Sequence, residues 1–470
     1  MVMNDVVFMS IGEAAAEIAA GRLSPVDLTK AVLEKIEATD AQLNSYVLLM
    51  KESALAEAEA SAARARAGTL LGPLDGIPMG IKDLYDTAGY VTTNGTAAHR
   101  FRVPAADCTA VARLRAAGAV IVGKTNTHEL AMGGTTNNLH YGPTHNPWDL
   151  SRIPGGSSGG SGSALAAGQA LGALGTDTGG SIRGPASYCG ITGHKPTYGL
   201  SSRAGVGALS HTLDHTGPMA RSAFDCALML NALQGYDPLD LDSADHPGED
   251  FAAGIGGGVA GMTFAFIPSL LAVADPDVKA SFQASLAVFE SLGATITTIE
   301  PLTGIDDYRG LVQNISAVET NDYNESIVNA EPPVIAATIR ARLAMGRAMP
   351  AYLYSRMLDN RKMLEQRMQR GLLDNGIDAY LLPTTPVTAF PIDPDADRDQ
   401  GPTKARAGLT SIFNISHQPS LSVPNGFDRD GLPTGLMISG AQWTDAQVLR
   451  IGHAYQQATD FHTKRPPMFA

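Results

Sequence analysis

Glycine placement restricts this chain more than any other feature. Sixteen glycines fall within the 60 residues 151–210, where an even spread of the 50 glycines over 470 residues would place about six. No Gly-X-Y period runs through them, so a collagen-like rod is excluded. Hydrophobic residues make up 44% of the chain and charged residues 17%, which is the balance of a folded domain rather than a disordered one. The cluster therefore asks for a local explanation: backbone that must turn sharply or lie close to something else.

The remaining totals narrow the classes. The formal charge of −13 disfavours a broad nucleic-acid-binding face, because it repels phosphate. Three dispersed cysteines, Cys108, Cys189 and Cys226, form no CxxC pair, so a zinc ribbon, a redox motif and a disulfide scaffold lack support. A reducing compartment fits them. Met1 to Ser10 shows no secretion-signal pattern, and the longest Gly/Ala-rich apolar run, 163–175, is too short to span a bilayer. The expectation is a cytoplasmic protein with no membrane role.

Local signals outline an α/β chain. Ser24-Pro25 opens a helix whose Leu28, Val32, Leu33 and Ile36 share one face. A second helix is expected over 53–67. A buried strand is expected at 119–122, ended by Gly123. Ser222 starts a helix that stops before Gly235. Residues 262–267, a helix capped by Asp275-Pro276 and stopped by Gly293, and 295–299 form a β-α-β unit. Residues 380–382 read as a strand. Residues 421–423 and 436–439 flank a turn at 428–431 and read as a hairpin. Thr444 and Gln447 have capping-box spacing for a last helix. Residues 164–174 fit helix or strand equally. Residues 302–407 are the least regular stretch, with a Pro/Asp-rich loop at 391–402.

The glycine cluster contains two Gly/Ser loops, 154–162 and 175–183, around that apolar segment. No lysine follows either run, which argues against a nucleotide-binding P-loop, and the GxGxxG register is missing. Gly156-Ser157-Ser158-Gly159-Gly160 matches GxSxG with Ser158 as nucleophile, but Ile153-Pro154-Gly155 is a poor strand end for a nucleophile elbow. The third reading is an oxyanion hole. The N–H groups of Thr178, Gly179, Gly180 and Ser181 converge on one point, and Ser181 attacks a carbonyl whose oxygen rests there. Its base is either a histidine (His194, His211 or His215, with Asp214 or Asp177) or Lys82. Lys82 lies in an apolar Gly/Pro-rich stretch, 74–83, where burial would favour the neutral amine.

These segments resemble the amidase signature family over essentially the whole chain. The resemblance rests on Gly76-Ile77-Pro78 leading to Lys82, Gly123-Lys124-Thr125-Asn126, 142–148, 154–161, 175–183, Lys195-Pro196-Thr197-Tyr198-Gly199, 382–386 and 431–436. It implies a central twisted mixed β-sheet with helices on both faces, in one amidase domain over 1–470. Within it, N-terminal helices cover about 1–70, a catalytic core about 71–300 and 375–470, and a variable pocket region about 301–407. It implies a Ser–cis-Ser–Lys triad: Ser181 as nucleophile, Ser157 as bridging serine in a cis peptide, and Lys82 as base. Ser158, Asp177 and Arg183 are supporting residues. Ser158 either tunes the lysine or steadies its turn, while Asp177 and Arg183 hold the two loops together. No metal and no cofactor are implied. The substrate expected is a small amide, such as an aryl or acyl anilide, or a carbamate. The alternative is the glutamine-hydrolysing A subunit of a tRNA-dependent amidotransferase, which acts with partner subunits. A homodimer is compatible with either. Met345, Met349, Tyr352, Tyr354 and Met357 fit an adaptable apolar pocket wall and fit core positions equally well.

Overall fold

The computed structural model describes residues 6–302, 308–328, 330, 334–395, 402, 405 and 408–469. Within them one sheet of eleven strands runs through the molecule. In chain order these are β1 (Tyr46–Leu49), β2 (Pro78–Lys82), β3 (Val120–Thr125), β4 (Gly172–Asp177), β5 (Thr192–Lys195), β6 (His215–Ala220), β7 (Thr263–Phe266), β8 (Thr295–Thr298), β9 (Ala379–Pro383), β10 (Ser420–Phe427) and β11 (Pro433–Ser439). Their order across the sheet is β1-β3-β2-β4-β6-β5-β10-β11-β9-β7-β8. The sheet is mixed. β2 runs parallel to β3 and β4, and β7 runs parallel to β8 and β9. The other neighbouring pairs are antiparallel.

Alternation along single strands shows why helices cover both faces. In β9, Ala379 and Leu381 join one hydrophobic cluster, while Tyr380 and Leu382 join another. In β11, Leu436 and Ile438 go with the first cluster and Met437 with the second. A strand sends successive side chains to opposite faces, so a strand buried on both must be apolar or small throughout. Among the described residues no helix is long and apolar enough to cross a membrane.

Locally capped elements form where the sequence places them. Ser24 accepts the N–H of Val26 at the start of Pro25–Leu43, and Ser222 accepts that of Asp225 before Ala223–Leu233. The β-α-β unit forms, with Pro276–Ser291 between β7 and β8, and the hairpin is the β10–β11 pair. The second helix runs Lys51–Ala67.

Several expectations are corrected. β3 passes through Gly123 to Thr125, because its neighbours β1 and β2 continue the pairing. The ambiguous segment is both elements: helix Gly159–Ala166, then β4. Thr444 makes no capping box; its hydroxyl donates to the Ala441 carbonyl, and Gln447 donates to that of Asp378. The stretch expected to be irregular is mostly helical, with Tyr308–Val328, Ala337–Arg347 and Ala351–Leu373. The last buries Leu364, Met368 and Leu372 at four-residue spacing, a helical stripe. Of the 391–402 loop, 396–401 lie outside the described residues.

Candidate active site

Lys82 ends β2 and Asp177 ends β4. These strands are parallel, with Ile81 opposite Leu174, so both residues reach the same carboxyl edge of the sheet, where α/β proteins place their ligands. Lys82 is fully buried. Its Nζ lies 2.8 Å from Ser157 Oγ and 2.7 Å from Thr176 Oγ1. Removal from water pushes its pKa down to about 7, although the carboxylates of Asp177 and Asp214 pull the other way. Burial disfavours the ammonium form, so a large share of this lysine is a neutral amine at neutral pH.

Ser157 follows Gly156 through a cis peptide bond. Its carbonyl accepts the Thr127 hydroxyl at 2.9 Å and the N–H of His128 at 3.1 Å. The glycines here have a packing reason. A β-carbon on Gly160 would sit 2.5 Å from the backbone nitrogen and oxygen of Asn126, and one on Gly156 would sit 2.6 Å from Thr135 N. Backbone packs directly on backbone, with no flexible side chain to give way.

The second loop is wound around Asp177. Its carboxylate accepts Gly180 N–H at 2.7 Å, Ile182 N–H at 3.0 Å and Asn414 Nδ2 at 2.8 Å, and pairs with the Arg183 guanidinium at 2.9 Å. Burial alone would raise the Asp177 pKa, but the Arg183 charge and hydrogen bonds hold it well below the usual carboxylate range. Arg183 also donates to the Thr410 carbonyl at 2.9 Å and to Asn414 Oδ1 at 2.7 Å. The pair thus ties the turn to the short helix Ser411–Ile415.

One site expectation is corrected. Gly180 N–H is committed to Asp177, because a buried carboxylate draws in every nearby donor. Among the described residues, the N–H groups of Thr178, Gly179 and Ser181 stay without a partner, and all three residues line a cavity of about 280 Å³. Ser181 is half-buried in that wall. Ser158 does not touch Lys82: its hydroxyl lies 3.3 Å from both the carbonyl oxygen and the nitrogen of Thr176. It braces the threonine that does.

The histidine alternatives do not assemble. His194 is buried against Asp445 at 3.0 Å, His215 bonds to the Leu213 carbonyl at 2.7 Å, and His211 lies 3.6 Å from Glu319. None of the three lines the cavity that holds Ser181. Asp214 instead accepts the Thr178 hydroxyl at 2.5 Å.

Sequence reasoning overlooked Thr176, Asn414 and Arg342. Arg342 lines the Ser181 cavity and an adjoining one of about 540 Å³. Its guanidinium donates to the Met132 carbonyl at 3.0 Å, and surrounding protein lowers its pKa by desolvation. No local pattern singles it out. Of the five residues expected in the pocket wall, only Met345 lines either cavity. Tyr352 is 66% exposed, Tyr354 donates to Glu319, and Met357 packs on the core.

Known proteins share this framework. The model of the Amidase family matches residues 27–449. The A subunit of the glutamyl-tRNA(Gln) amidotransferase of Chloroflexus aggregans is 38% identical, with 99% of each chain covered. A structure from a vestigial complex bearing on the origins of an s-triazine catabolic enzyme has 34% identity and a TM-score of 0.88, covering 96% of this chain and 98% of that one. A bacterial aryl acylamidase superposes with a TM-score of 0.89 at 25% identity, over 98% of this chain and 99% of its own. Fold, matched length and identity agree, and the chain belongs to the amidase signature family.

Proposed function

We propose that Ser181 is the nucleophile of an amide hydrolysis that passes through an acyl-enzyme, with Ser157 relaying its proton to Lys82. The observation that carries this is the buried, near-neutral lysine 2.8 Å from Ser157 Oγ, beside a turn with unspent N–H groups. Thr176 Oγ1 accepts one amine hydrogen, which turns the lone pair toward Ser157. As Ser181 Oγ bonds to the carbonyl carbon, its proton passes to Ser157 and that of Ser157 passes to Lys82. The carbonyl oxygen gains charge against Thr178, Gly179 and Ser181 N–H, donors each worth about 3–4 kcal/mol in such sites. The lysinium then returns a proton through Ser157 to the departing nitrogen, and water cleaves the ester by the reverse relay. In this reading the chain is one amidase domain, and 301–407 supplies the variable wall.

The names of the curated relatives support a glutamine-hydrolysing A subunit of a tRNA-dependent amidotransferase better than a free-standing hydrolase of small amides. Arg342 favours the same reading: a guanidinium in the Ser181 cavity suits a substrate carboxylate, as on glutamine. Partner subunits would then receive the ammonia. The free-standing reading, with anilides or carbamates as substrates, rests on the wider cavity, where Met132, Ile339, Met345 and Phe390 offer apolar surface beyond what glutamine fills. The test is to assay the purified chain alone on glutamine, a nitroanilide and a carbamate, then on glutamine with partner subunits. Glutaminase activity that depends on the partner supports the amidotransferase. Rapid anilide or carbamate turnover by the chain alone overturns it in favour of the free-standing enzyme.

A further inference from the structure

The two short helices that start at the catalytic loops, Gly159–Ala166 and Arg183–Cys189, end on a second cavity. Ala166, Cys189 and Gly190 line it, and its volume is about 340 Å³. Helices of eight and seven residues rise roughly 10–12 Å, so this is a separate site on the far side of both helices. The rest of its wall comes mainly from the N-terminal residues 8–13, from 221–224, from the last long helix at 453–457 and from residues 462–466.

Its charge runs against that of the whole chain. Arg221, Lys464 and Arg465 line it together with His453 and His462, and Glu13 is the only carboxylate-bearing residue among its described lining. The Glu13 carboxylate is already engaged by the N–H and hydroxyl of Ser10. Three cations converge on the Phe8 ring at the rim: Arg465 at 4.5 Å, Lys35 at 5.4 Å and Arg221 at 6.0 Å from its centroid. Lys464 is held by Asp460 at an exposed position. Among the described residues Arg465 has no ion-pair partner.

Arg221 has a structural duty, since its terminal nitrogens donate to the carbonyls of Met9, Leu165 and Ala170. That duty leaves Arg221 Nε buried without a partner, and His462 Nδ1 is orphaned in the same wall. Buried polar atoms are normally satisfied, and like charges held together repel. One ligand would answer both costs. We infer that this cavity is a binding site for a phosphate-bearing small molecule, with Arg465, Lys464 and the Arg221 Nε–H as donors to its oxygens. Donors arriving from several directions suit a tetrahedral, multiply charged group better than a planar carboxylate. The cavity is within the size range of small-molecule sites.

The test uses the full chain, with inorganic phosphate, pyrophosphate and a sugar phosphate titrated at constant ionic strength while thermal unfolding is followed. A ligand that binds only the folded chain raises Tm saturably. The expected result is such a rise with at least one of the three, absent with chloride, and the strongest probe separates free phosphate from a phosphoester. The Lys464→Gln/Arg465→Gln double variant changes two exposed side chains and should weaken the apparent affinity at least about tenfold, the effect of one lost charge-assisted hydrogen bond. Arg465→Lys should retain most of it. The proposal is overturned if no probe gives a saturable shift, or if the double variant, folded by circular dichroism, binds as the parent does.

Discussion

Residues 154–183 and the helices Tyr308–Val328 and Ala337–Arg347 face each other across one cavity, yet they are built differently. The first segment is buried almost throughout, and its polar groups are spent on one another. In helix Ala337–Arg347, only Ile339, Leu343 and Gly346 are buried. In residues 154–183 a backbone shift of an ångström would break several hydrogen bonds at once. On the wall side most side chains can change without disturbing the packing. Precision and tolerance are thereby separated, which is how a common core can serve different substrates.

The contrast can be broken by substitution, starting with its strongest element. Ser181→Ala should lower kcat by about 10⁴-fold or more, as for loss of the nucleophile in serine hydrolases, with Tm close to that of the parent. Parental kcat in a folded variant would remove the acyl-enzyme reading.

Lys82→Met should cost about 10³-fold or more, and the parent's rate should titrate with the neutral amine. Activity should fall about tenfold per pH unit below about 7 and level off above it. A flat profile from pH 6 to 9 would argue against Lys82 as base. Stability carries the matching sign. The folded pKa lies below the ordinary lysine value of 10.5, so the folded state binds fewer protons between those limits. This contribution is complete above pH 10.5 and is lost as pH falls toward 7. Denaturant titrations should show that slope in the parent and not in Lys82→Met.

Asp177→Asn leaves the Arg183 guanidinium buried without its counter-charge, so stability should drop by about 3–5 kcal/mol. A loss below about 1 kcal/mol would mean that the pair is not what holds the turn. On the wall, Arg342→Gln should raise KM for a carboxylate-bearing amide by about 10- to 100-fold, one charged hydrogen bond, and leave a neutral anilide unaffected. Equal effects on both substrates would mean that Arg342 serves the fold. Met345→Ala, at an exposed wall position, should stay within about 0.5 kcal/mol in stability.

Legibility in the sequence follows the range of the interactions. Ser24-Pro25, Ser222 and the turn at 428–431 act on neighbours a few residues away, so their elements can be read locally. β2, β5 and β6 carry no such mark. They are buried on both faces and lack the period of two that betrays a half-exposed strand. Helix Ala351–Leu373 was legible in principle: Leu364, Met368 and Leu372 repeat every four residues, and no proline follows Pro350 within the helix. At the site, Lys82, Ser157 and Ser181 stand in recognisable motifs. Thr176 meets Lys82 across 94 positions and Asn414 meets Asp177 across 237, and no local pattern encodes such pairs.

The glycine cluster, the serines within it and the lysine before it were enough to name a family and a chemistry, because those residue types have few other uses at that spacing. Which N–H groups stay open was a tertiary decision. Asp177, paired with the nearby Arg183 and with Asn414 from 237 positions away, takes the Gly180 N–H and leaves those of Thr178, Gly179 and Ser181, in residues that line the cavity, without a partner among the described residues. A buried carboxylate must collect donors from wherever the fold brings them, and only the assembled structure specifies which ones arrive.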